Sequence, residues 1–332
     1  MSVRDRVVTV SRIFAQLRAR AIICGAAVAC FAACSNGFKG DPPAEYSGAL
    51  ELAGDQQPVL TRALQPGTYV IEVRERDVDT RVIVETGQQR IELADPPMRH
   101  GYHFAVVSPT AATELRVTLR SVDQRAKRGA GEIRIMRWPV ARPGEAADER
   151  LLGYQAWSKG GELLARPDEK SWRASVDSLR EAGAHFLAAD DERRLAAVEY
   201  TRAYVEYNLL SQWETSARTA ESAREHFENL HDDAGAMRAG TLRATAELEI
   251  AAGMSADTRG GEQRALLETA DRRLEESHAW FAAHGPASDE IYATSLRGVR
   301  HIYGGDYDRA DQFFTQAEIG RASCRERVSL TV

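Results

Sequence analysis

The stretch "LRGVRHIYGGDYDRADQFFTQA", Leu296 to Ala317, decides how the second half of this chain folds. Two runs with helical spacing flank the turn residues Gly304 and Gly305. In the second run Ala310 and Ala317 are seven residues apart, so they lie on one helix face, two turns from each other. Two antiparallel helices approach to about 8–10 Å only where the contacting side chains are small. The stretch therefore predicts a pair of closely packed helices.

The same spacing recurs upstream at intervals near 40 residues, if about thirteen extra residues between Ala244 and Phe281 form a longer loop. In each copy a phenylalanine is followed seventeen residues later by a small residue; the pairs are Phe186 and Ala203, Phe227 and Ala244, and Phe281 and Gly298. Each copy also has two small residues seven apart, namely Ser175 and Ala182, Ser216 and Ala223, and Ala270 and Ser277. Residues 150–317 are therefore predicted to form helical repeats. The alternative is an alanine-rich helical bundle without repeats.

The last copy resembles the tetratricopeptide repeat, because its small, turn and aromatic residues stand where that family places them; they are Gly298, Gly305, Tyr307, Ala310, Phe314 and Ala317. The earlier copies match only at their small positions, and their period exceeds the roughly 34 residues of the standard repeat. The resemblance implies an α-solenoid of helix pairs. It also implies the positions where two helices approach most closely, namely Ala203, Ala223, Ala244, Gly298, Ala310 and Ala317.

Stacked helix pairs have a concave surface, lined by the first helix of each pair, that suits a protein or an extended peptide. The candidate binding residues on one such helix are Tyr200, Arg202, Tyr204 and Tyr207. The alternative is that Tyr200 and Tyr207 belong to the core. The expected partner in this groove is a protein or peptide.

Residues 48–138 follow a different pattern of short alternating runs separated by turn signals. "GTYVIEV", 67–73, places Tyr69, Ile71 and Val73 on one face. The spacing predicts an antiparallel β-sandwich, so the expected fold class is β followed by α. "LQPGTYVIEVRERDVDTRVIVE", 64–85, resembles the small pre-peptidase sandwich of secreted bacterial proteins. The Pro-, Gly- and Ala-rich residues 139–149 predict a flexible linker, so the sandwich is not expected to respond to changes in the helices.

Residues 1–33 resemble a bacterial export signal. Five arginines precede the apolar run "AIICGAAVACFAA", 21–33, which is shorter than the roughly 20 residues that span a bilayer. "FAAC", Phe31 to Cys34, resembles a lipobox, although phenylalanine replaces the usual leucine. The resemblance implies a lipid on Cys34, a tether over 34–47 and, because Ser35 follows, an outer-membrane anchor facing the periplasm. The alternative is an ordinary cleaved signal peptide.

The rest of the composition argues against several classes of function. The chain has 43 Lys and Arg against 49 Asp and Glu, a net charge of −6, which disfavours nucleic acid as a partner. No cysteine lies between Ser35 and Gln316. His100 and His103 fall short of the three or four ligands of a metal site and are expected to be surface groups. With neither a phosphate loop nor a nucleophile elbow in the sequence, we expect no catalytic residue, no metal and no cofactor.

The end of the chain departs from the helical pattern. "EIGRASCRERV", Glu318 to Val328, matches no helix face and resembles the translation of a common sequencing adapter. Residues 318–332, with Cys324, are therefore expected to be an artefactual tail without ordered structure. A repeat array needs a polar capping helix at its end, so the natural protein is expected to continue after Ala317.

The order of export signal, pre-peptidase-like sandwich and tetratricopeptide-like repeats resembles the N-terminal part of caspase-like CHAT-domain proteins. The resemblance implies that a protease domain with a His/Cys dyad follows the repeats. This fragment would then be the non-catalytic half that senses and scaffolds. The alternative is a stand-alone scaffold lipoprotein with more repeats and no enzymatic domain.

Serine in place of Cys34 tests the lipid anchor. The Cys34→Ser variant should incorporate no radiolabelled palmitate, because it lacks the thiol that carries the lipid. Cys30→Ser alters the apolar run four residues earlier and is the control, which should be labelled like the unaltered chain. Unchanged labelling of the Cys34→Ser variant would contradict the predicted lipidation.

Overall fold

The structure is a computed structural model that describes residues 40–329, except 54–55, 77, 88, 95–99, 123–128, 141–147 and 255. The predicted export signal and Cys34 lie outside the described residues. The strands are β1 (Ala44–Leu52), β2 (Val59–Leu64), β3 (Thr68–Arg76), β4 (Thr80–Thr86), β5 (Gln89–Leu93), β6 (Tyr102–Val107), β7 (Thr113–Ser121) and β8 (Gly129–Trp138). The helices are α1 (Glu149–Leu164), α2 (Glu169–Ala188), α3 (Glu192–Asn208), α4 (Trp213–Asn229), α5 (Asp233–Ala252), α6 (Ala256–His284), α7 (Ala287–Tyr303) and α8 (Tyr307–Ser329). The predicted fold class, β followed by α, is confirmed.

The strands form two four-stranded antiparallel sheets, in the orders β1-β8-β3-β6 and β2-β7-β4-β5. Their facing sides share one apolar core. Strand β7 shows the alternation behind it, because every second side chain, Leu115, Val117 and Leu119, is fully buried. Tyr69, Ile71 and Val73 enter the same core from β3, as their spacing predicts.

The other face of the β1-β8-β3-β6 sheet is also buried, because α1 and its neighbours cover it. Val70, Phe104 and Met136 of this sheet share a core with Tyr154 and Trp157 of α1. The Phe104 ring centroid lies 4.9 Å from that of Tyr154 and 4.7 Å from that of Trp157. Burial on both faces explains why "TYVIEV" of β3 is almost continuously buried rather than alternating.

Polar contacts hold the start of α1 in place on this sheet. Asp148 caps α1 by accepting a hydrogen bond from the backbone N–H of Arg150 at 2.9 Å, and it also accepts one from Trp138 Nε1 at 3.2 Å. The backbone N–H of Ala94 donates to the carbonyl of Gly161 at 3.1 Å. The sheets and helices together form one compact unit, Ala44–Val332. The expectation that the sandwich does not respond to the helices is therefore wrong, because their contact is a shared core.

Each helix contacts the next one along the chain, and further contacts join α3 to α5 and α5 to α7. The small repeat residues all lie buried at these contacts; they are Ala203, Ala223, Ala244, Gly298, Ala310 and Ala317. Gly298 shows why size matters there, because a Cβ at this position would lie 2.9 Å from the ring of Phe314 on α8. Ser216 adds a hydrogen bond, donating from Oγ to the carbonyl of Ala203 at 2.8 Å across the α3–α4 contact.

Three helix-to-helix turns share one geometry, in which a residue with positive φ precedes an aspartate that caps the next helix. The residues with positive φ are Asp190, His231 and Gly305, and the capping aspartates are Asp191, Asp232 and Asp306. In each turn the N–H of the aspartate donates to a carbonyl five residues earlier at 2.9 Å, which is the Schellman arrangement. One aspartate thus ends one helix and begins the next.

Helix α8 continues beyond Ala317 to Ser329, and Gly320 lies against Ile291 of α7. The expectation that residues 318–332 lack ordered structure is wrong for 318–329, whereas 330–332 lie outside the described residues. The stretch contains no proline, and an existing helix adds one hydrogen bond for each residue it gains. Helical backbone here leaves the origin of the tail sequence open.

Two adjacent glycines in the α7–α8 turn should respond oppositely to alanine. Gly305 has φ +76°, so Gly305→Ala should lower the free energy of unfolding by about 1 kcal/mol although no atom crowds its Cβ position. Gly304 has φ −84° and only ordinary contacts around its Cβ position, so Gly304→Ala should raise that energy by about 0.5 kcal/mol. Urea midpoints measure both, and shifts in the same direction would contradict this turn geometry.

Candidate functional site

Tyrosines from α3 form a row on one side of this helix. Tyr200, Tyr204 and Tyr207 are spaced by four and three residues, so they lie on one side of α3. All three are half-buried, with one side packed on core residues such as Leu242. The rings of Tyr200 and Tyr204 meet edge to face at a centroid distance of 5.1 Å. One side of this tyrosine row thus packs in the core, and the other side is available for binding. Each of the two sequence-based interpretations describes one of these sides.

Helices α5 and α7 complete this surface. Glu249 of α5 accepts hydrogen bonds from the hydroxyl of Tyr207 at 3.4 Å and from the hydroxyl of Tyr303 of α7 at 3.3 Å, both on Oε1. One turn earlier on α5, the side chain of Thr245 lies beside Tyr292 of α7. The surface is called the tyrosine face below; it comprises Tyr200, Tyr204 and Tyr207 of α3, Thr245 and Glu249 of α5, and Tyr292 and Tyr303 of α7.

The contacts at the two ends of this face show that α5 and α7 run in the same direction. Near their N-terminal ends, Arg238 Nε of α5 lies 2.8 Å from Asp289 Oδ2 of α7. Near their C-terminal ends, Glu249 meets Tyr303. His100, which precedes β6, lies with Nε2 3.9 Å from the same Asp289 Oδ2. The β-sandwich therefore reaches the N-terminal end of the tyrosine face.

The tyrosines of this face are surrounded by protein although water still reaches them. Burial raises the pKa of Tyr200, Tyr207, Tyr292 and Tyr303 above the usual value, and it raises the pKa of Tyr204 well above it. Neighbouring Glu249 adds to the effect on Tyr207, because a second negative charge beside a carboxylate is disfavoured. Yet Tyr292 is 41% exposed. The tyrosine face is therefore partly enclosed by protein and still open to solvent.

Arg202 lies away from the tyrosine face. Two residues along a helix correspond to a rotation of about 200°, so it points away from Tyr200 and Tyr204. Its Nη2 lies 3.3 Å from Thr219 Oγ1 of α4, and its Nε lies 3.4 Å from Glu206 Oε1. The structure therefore brings three of the four predicted binding residues together and places Arg202 in the contact between α3 and α4.

Charged pairs also link successive helices. Glu221 of α4 contacts Arg243 of α5 at 2.5 Å, and Glu247 of α5 contacts Arg273 of α6 at 3.4 Å. Hydrogen bonds from Arg224 and Arg243 lower the pKa of Glu221 to about 2. These arginines stabilise the helix stack, and their charges are paired within it.

Thr245, Glu249, Tyr292 and Tyr303 were not predicted from the sequence, although a signal for three of them was present. Thr245 directly follows the small repeat residue Ala244, as Tyr204 follows Ala203. Glu249 and Tyr303 each lie five residues after such a small residue. Comparing the copies at these offsets would have placed all three on one surface.

A buried polar cluster in the sandwich holds residue types that could suggest catalysis. Glu75 Oε1 accepts hydrogen bonds from Thr80 Oγ1 at 2.7 Å and lies 3.2 Å from His103 Nε2. Glu75 Oε2 accepts one from the backbone N–H of Gly101 at 3.1 Å. The side chains of Glu75 and His103 are 0% and 1% exposed, so no substrate can reach them. The expectation that His103 is a surface group is wrong, because it joins β6 to the β3–β4 turn.

No protein-family model matches the chain, and neither does any curated protein. Among the described residues, no group of three or more His, Cys, Asp or Glu side chains is arranged to hold a metal ion. None of the helices in that part of the chain is both long and apolar enough to cross a membrane.

The raised tyrosine pKa values predict an alkaline titration in two stages. In the folded protein the tyrosines of this face should stay neutral above pH 10, whereas unfolded tyrosine titrates near 10. Above pH 10 the unfolded chain releases tyrosine protons that the folded chain keeps. The contribution of these tyrosines to the free energy of unfolding is therefore present below pH 10 and is lost as the pH rises above it. Phenolate absorbance measures both stages.

The Tyr204→Phe variant tests which tyrosines account for the absorbance that appears above pH 10. It should remove one tyrosine from the absorbance that appears above pH 10 and leave the stage near pH 10 unchanged. Denaturant should merge the two stages for the unaltered chain. Loss of absorbance from the early stage would show that Tyr204 is not enclosed.

Proposed function

We propose that this chain is a non-catalytic scaffold whose tyrosine face binds an extended segment of a partner protein. The observation that carries the proposal is the convergence of tyrosines from α3 and α7 over Glu249 of α5. Tyrosine suits protein recognition because its ring offers a large apolar contact while its hydroxyl makes hydrogen bonds. Only two side-chain torsions are immobilised on binding.

The shape of the surface favours an elongated occupant. The tyrosine face follows α3 from Tyr200 to Tyr207, a rise of about 10 Å at 1.5 Å per residue, and α7 from Tyr292 to Tyr303. The Arg238–Asp289 pair and His100 mark its N-terminal end, while its C-terminal end has no charged pair among the described residues. The proposed segment lies along α5 between the two tyrosine walls.

Sequence resemblance supports three finer proposals. The helices form a tetratricopeptide-like solenoid; the contacts of α5 with both α3 and α7 agree with this arrangement. A lipid on Cys34 holds the chain at the outer membrane, facing the periplasm. The parent protein continues into a caspase-like CHAT protease domain, for which this chain senses and scaffolds. The rival is a stand-alone scaffold lipoprotein with further repeats, and the gene sequence downstream of Ala317 distinguishes the two.

Site-specific photocrosslinking tests the proposed binding surface. Tyr292 is replaced by p-benzoylphenylalanine in the host that makes the protein, because it is an exposed aromatic residue of the tyrosine face. Illumination should give one discrete protein adduct. The matched control places the same photoreactive residue at Leu187, which is 67% exposed on α2.

The adduct should be specific to position 292 and should weaken when Tyr204, across the face, is also changed to alanine. Equal adducts from positions 292 and 187 would indicate random collision. No adduct from position 292 in any growth condition would contradict a protein-binding role for this face.

A further inference from the structure

We propose that the C-terminal end of the tyrosine face is a binding pocket for a basic side chain, arginine or lysine, of the bound peptide segment. The pocket, called the Glu249 pocket below, consists of Glu249 with Tyr207 and Tyr303. This inference rests on the proposed function and names the chemistry that the partner must present.

The carboxylate of Glu249 has no cationic partner among the described residues. Its two hydrogen bonds come from neutral tyrosine hydroxyls, and both go to Oε1. Oε2 receives none from the described part of the chain. Several other acidic groups between the helices are paired: Glu221 and Glu247 with Arg243, Asp271 with Arg297, and Asp289 with Arg238. Glu249 differs from these four because no described cation neutralises it.

The surrounding rings add to the attraction for a cation. Tyrosine rings carry negative charge on their faces, and a guanidinium or ammonium group within about 6 Å of a ring centroid is stabilised by it. The hydroxyls of Tyr207 and Tyr303 contact Glu249 directly. A basic side chain entering the Glu249 pocket would meet a carboxylate between two tyrosines.

The helix C-termini at this site also favour a cation. Helix α3 ends at Asn208, α5 at Ala252 and α7 at Tyr303, and contacts through Glu249 bring these three ends together. Each helix C-terminus carries the equivalent of about half a negative charge. Three of them beside one carboxylate disfavour an anion and favour a cation. The chain as a whole is also acidic, with a net charge of −6.

The experiment starts from a selection with phage-displayed random peptides on the purified chain. The bound peptides should share a position occupied by arginine or lysine. Glu249→Gln keeps the size of the side chain and an oxygen for the two tyrosine hydroxyls but removes the charge, so selection on this variant should lose the basic preference. Glu276→Gln is the matched control, because Glu276 is an exposed residue of α6 and the net charge changes equally.

A double-mutant cycle with one selected peptide then assigns the contact. Replacing its arginine by citrulline, a neutral residue of the same shape, should weaken binding to the unaltered chain about tenfold. The same replacement should have little effect on binding to Glu249→Gln, because the charge it pairs with is already gone. The citrulline comparison on the unaltered chain stands even if the variant folds poorly.

Each outcome decides one question. Basic residues that are selected by the unaltered chain and lost with Glu249→Gln support the Glu249 pocket. Selected peptides without a basic preference, or with one that survives in Glu249→Gln, overturn the pocket and leave the peptide-binding function standing. A selection that enriches no peptide overturns the proposed function, and the pocket with it.

Discussion

The aromatic contact between Phe104 of β6 and the rings of Tyr154 and Trp157 of α1 positions everything that follows it along the chain. All three side chains are at most 3% exposed, and truncating one such aromatic typically costs about 3–5 kcal/mol. Tyr154 in turn contacts Phe186 at a ring distance of 5.5 Å. A Cβ on Gly153 would lie 2.6 Å from the Phe186 ring, so close approach of α1 and α2 requires glycine there. The sheet, α1 and α2 are therefore one packed body.

The same core fixes the direction of α3. Arg194 is fully buried near the start of α3, with Nη1 2.7 Å from Asp191 Oδ2 and its guanidinium 4.9 Å from the centroid of the Tyr154 ring. Burying an arginine is tolerated only when it is paired, as it is here. Since α3 is held at this end, the row from Tyr200 to Tyr207 has a defined orientation relative to the sandwich. The β-sandwich thus positions the tyrosine face. Its His100 also lies at the edge of that face.

Charge is distributed unevenly between the helix contacts and the tyrosine face. Several arginines of α3, α4 and α5 are paired with carboxylates within the stack, as Arg202 is with Glu206 and Arg243 with Glu221. The tyrosine face keeps neutral hydroxyls and one carboxylate that lacks a cation among the described residues. This division explains why a tyrosine row and a nearby arginine on one helix serve different purposes. It also gives the proposed binding surface a preference for basic side chains, which its apolar area alone would not supply.

The sequence by itself determined the features that depend on local periodicity. Alternation every two residues identified the strands, and small residues seven apart identified the places where helices approach, such as Ala203 and Gly298. The four-residue and three-residue spacing of Tyr200, Tyr204 and Tyr207 placed them on one helix side. The same rule, applied to Arg202, would have separated it from them.

Only the tertiary structure decided the features that join distant parts of the chain. Tyr207, Glu249 and Tyr303 lie on three helices, and no local pattern states which sides of those helices meet. The composition of residues 139–149 predicts a flexible connection, and only the contact of α1 with the apolar outer face of the first sheet shows that the two parts share a core. His103 looks like a loop residue until Glu75, 28 positions earlier, is found beside it. In each case the deciding interaction is a packing or hydrogen-bond contact between residues far apart in sequence, and its partner is chosen by the fold as a whole.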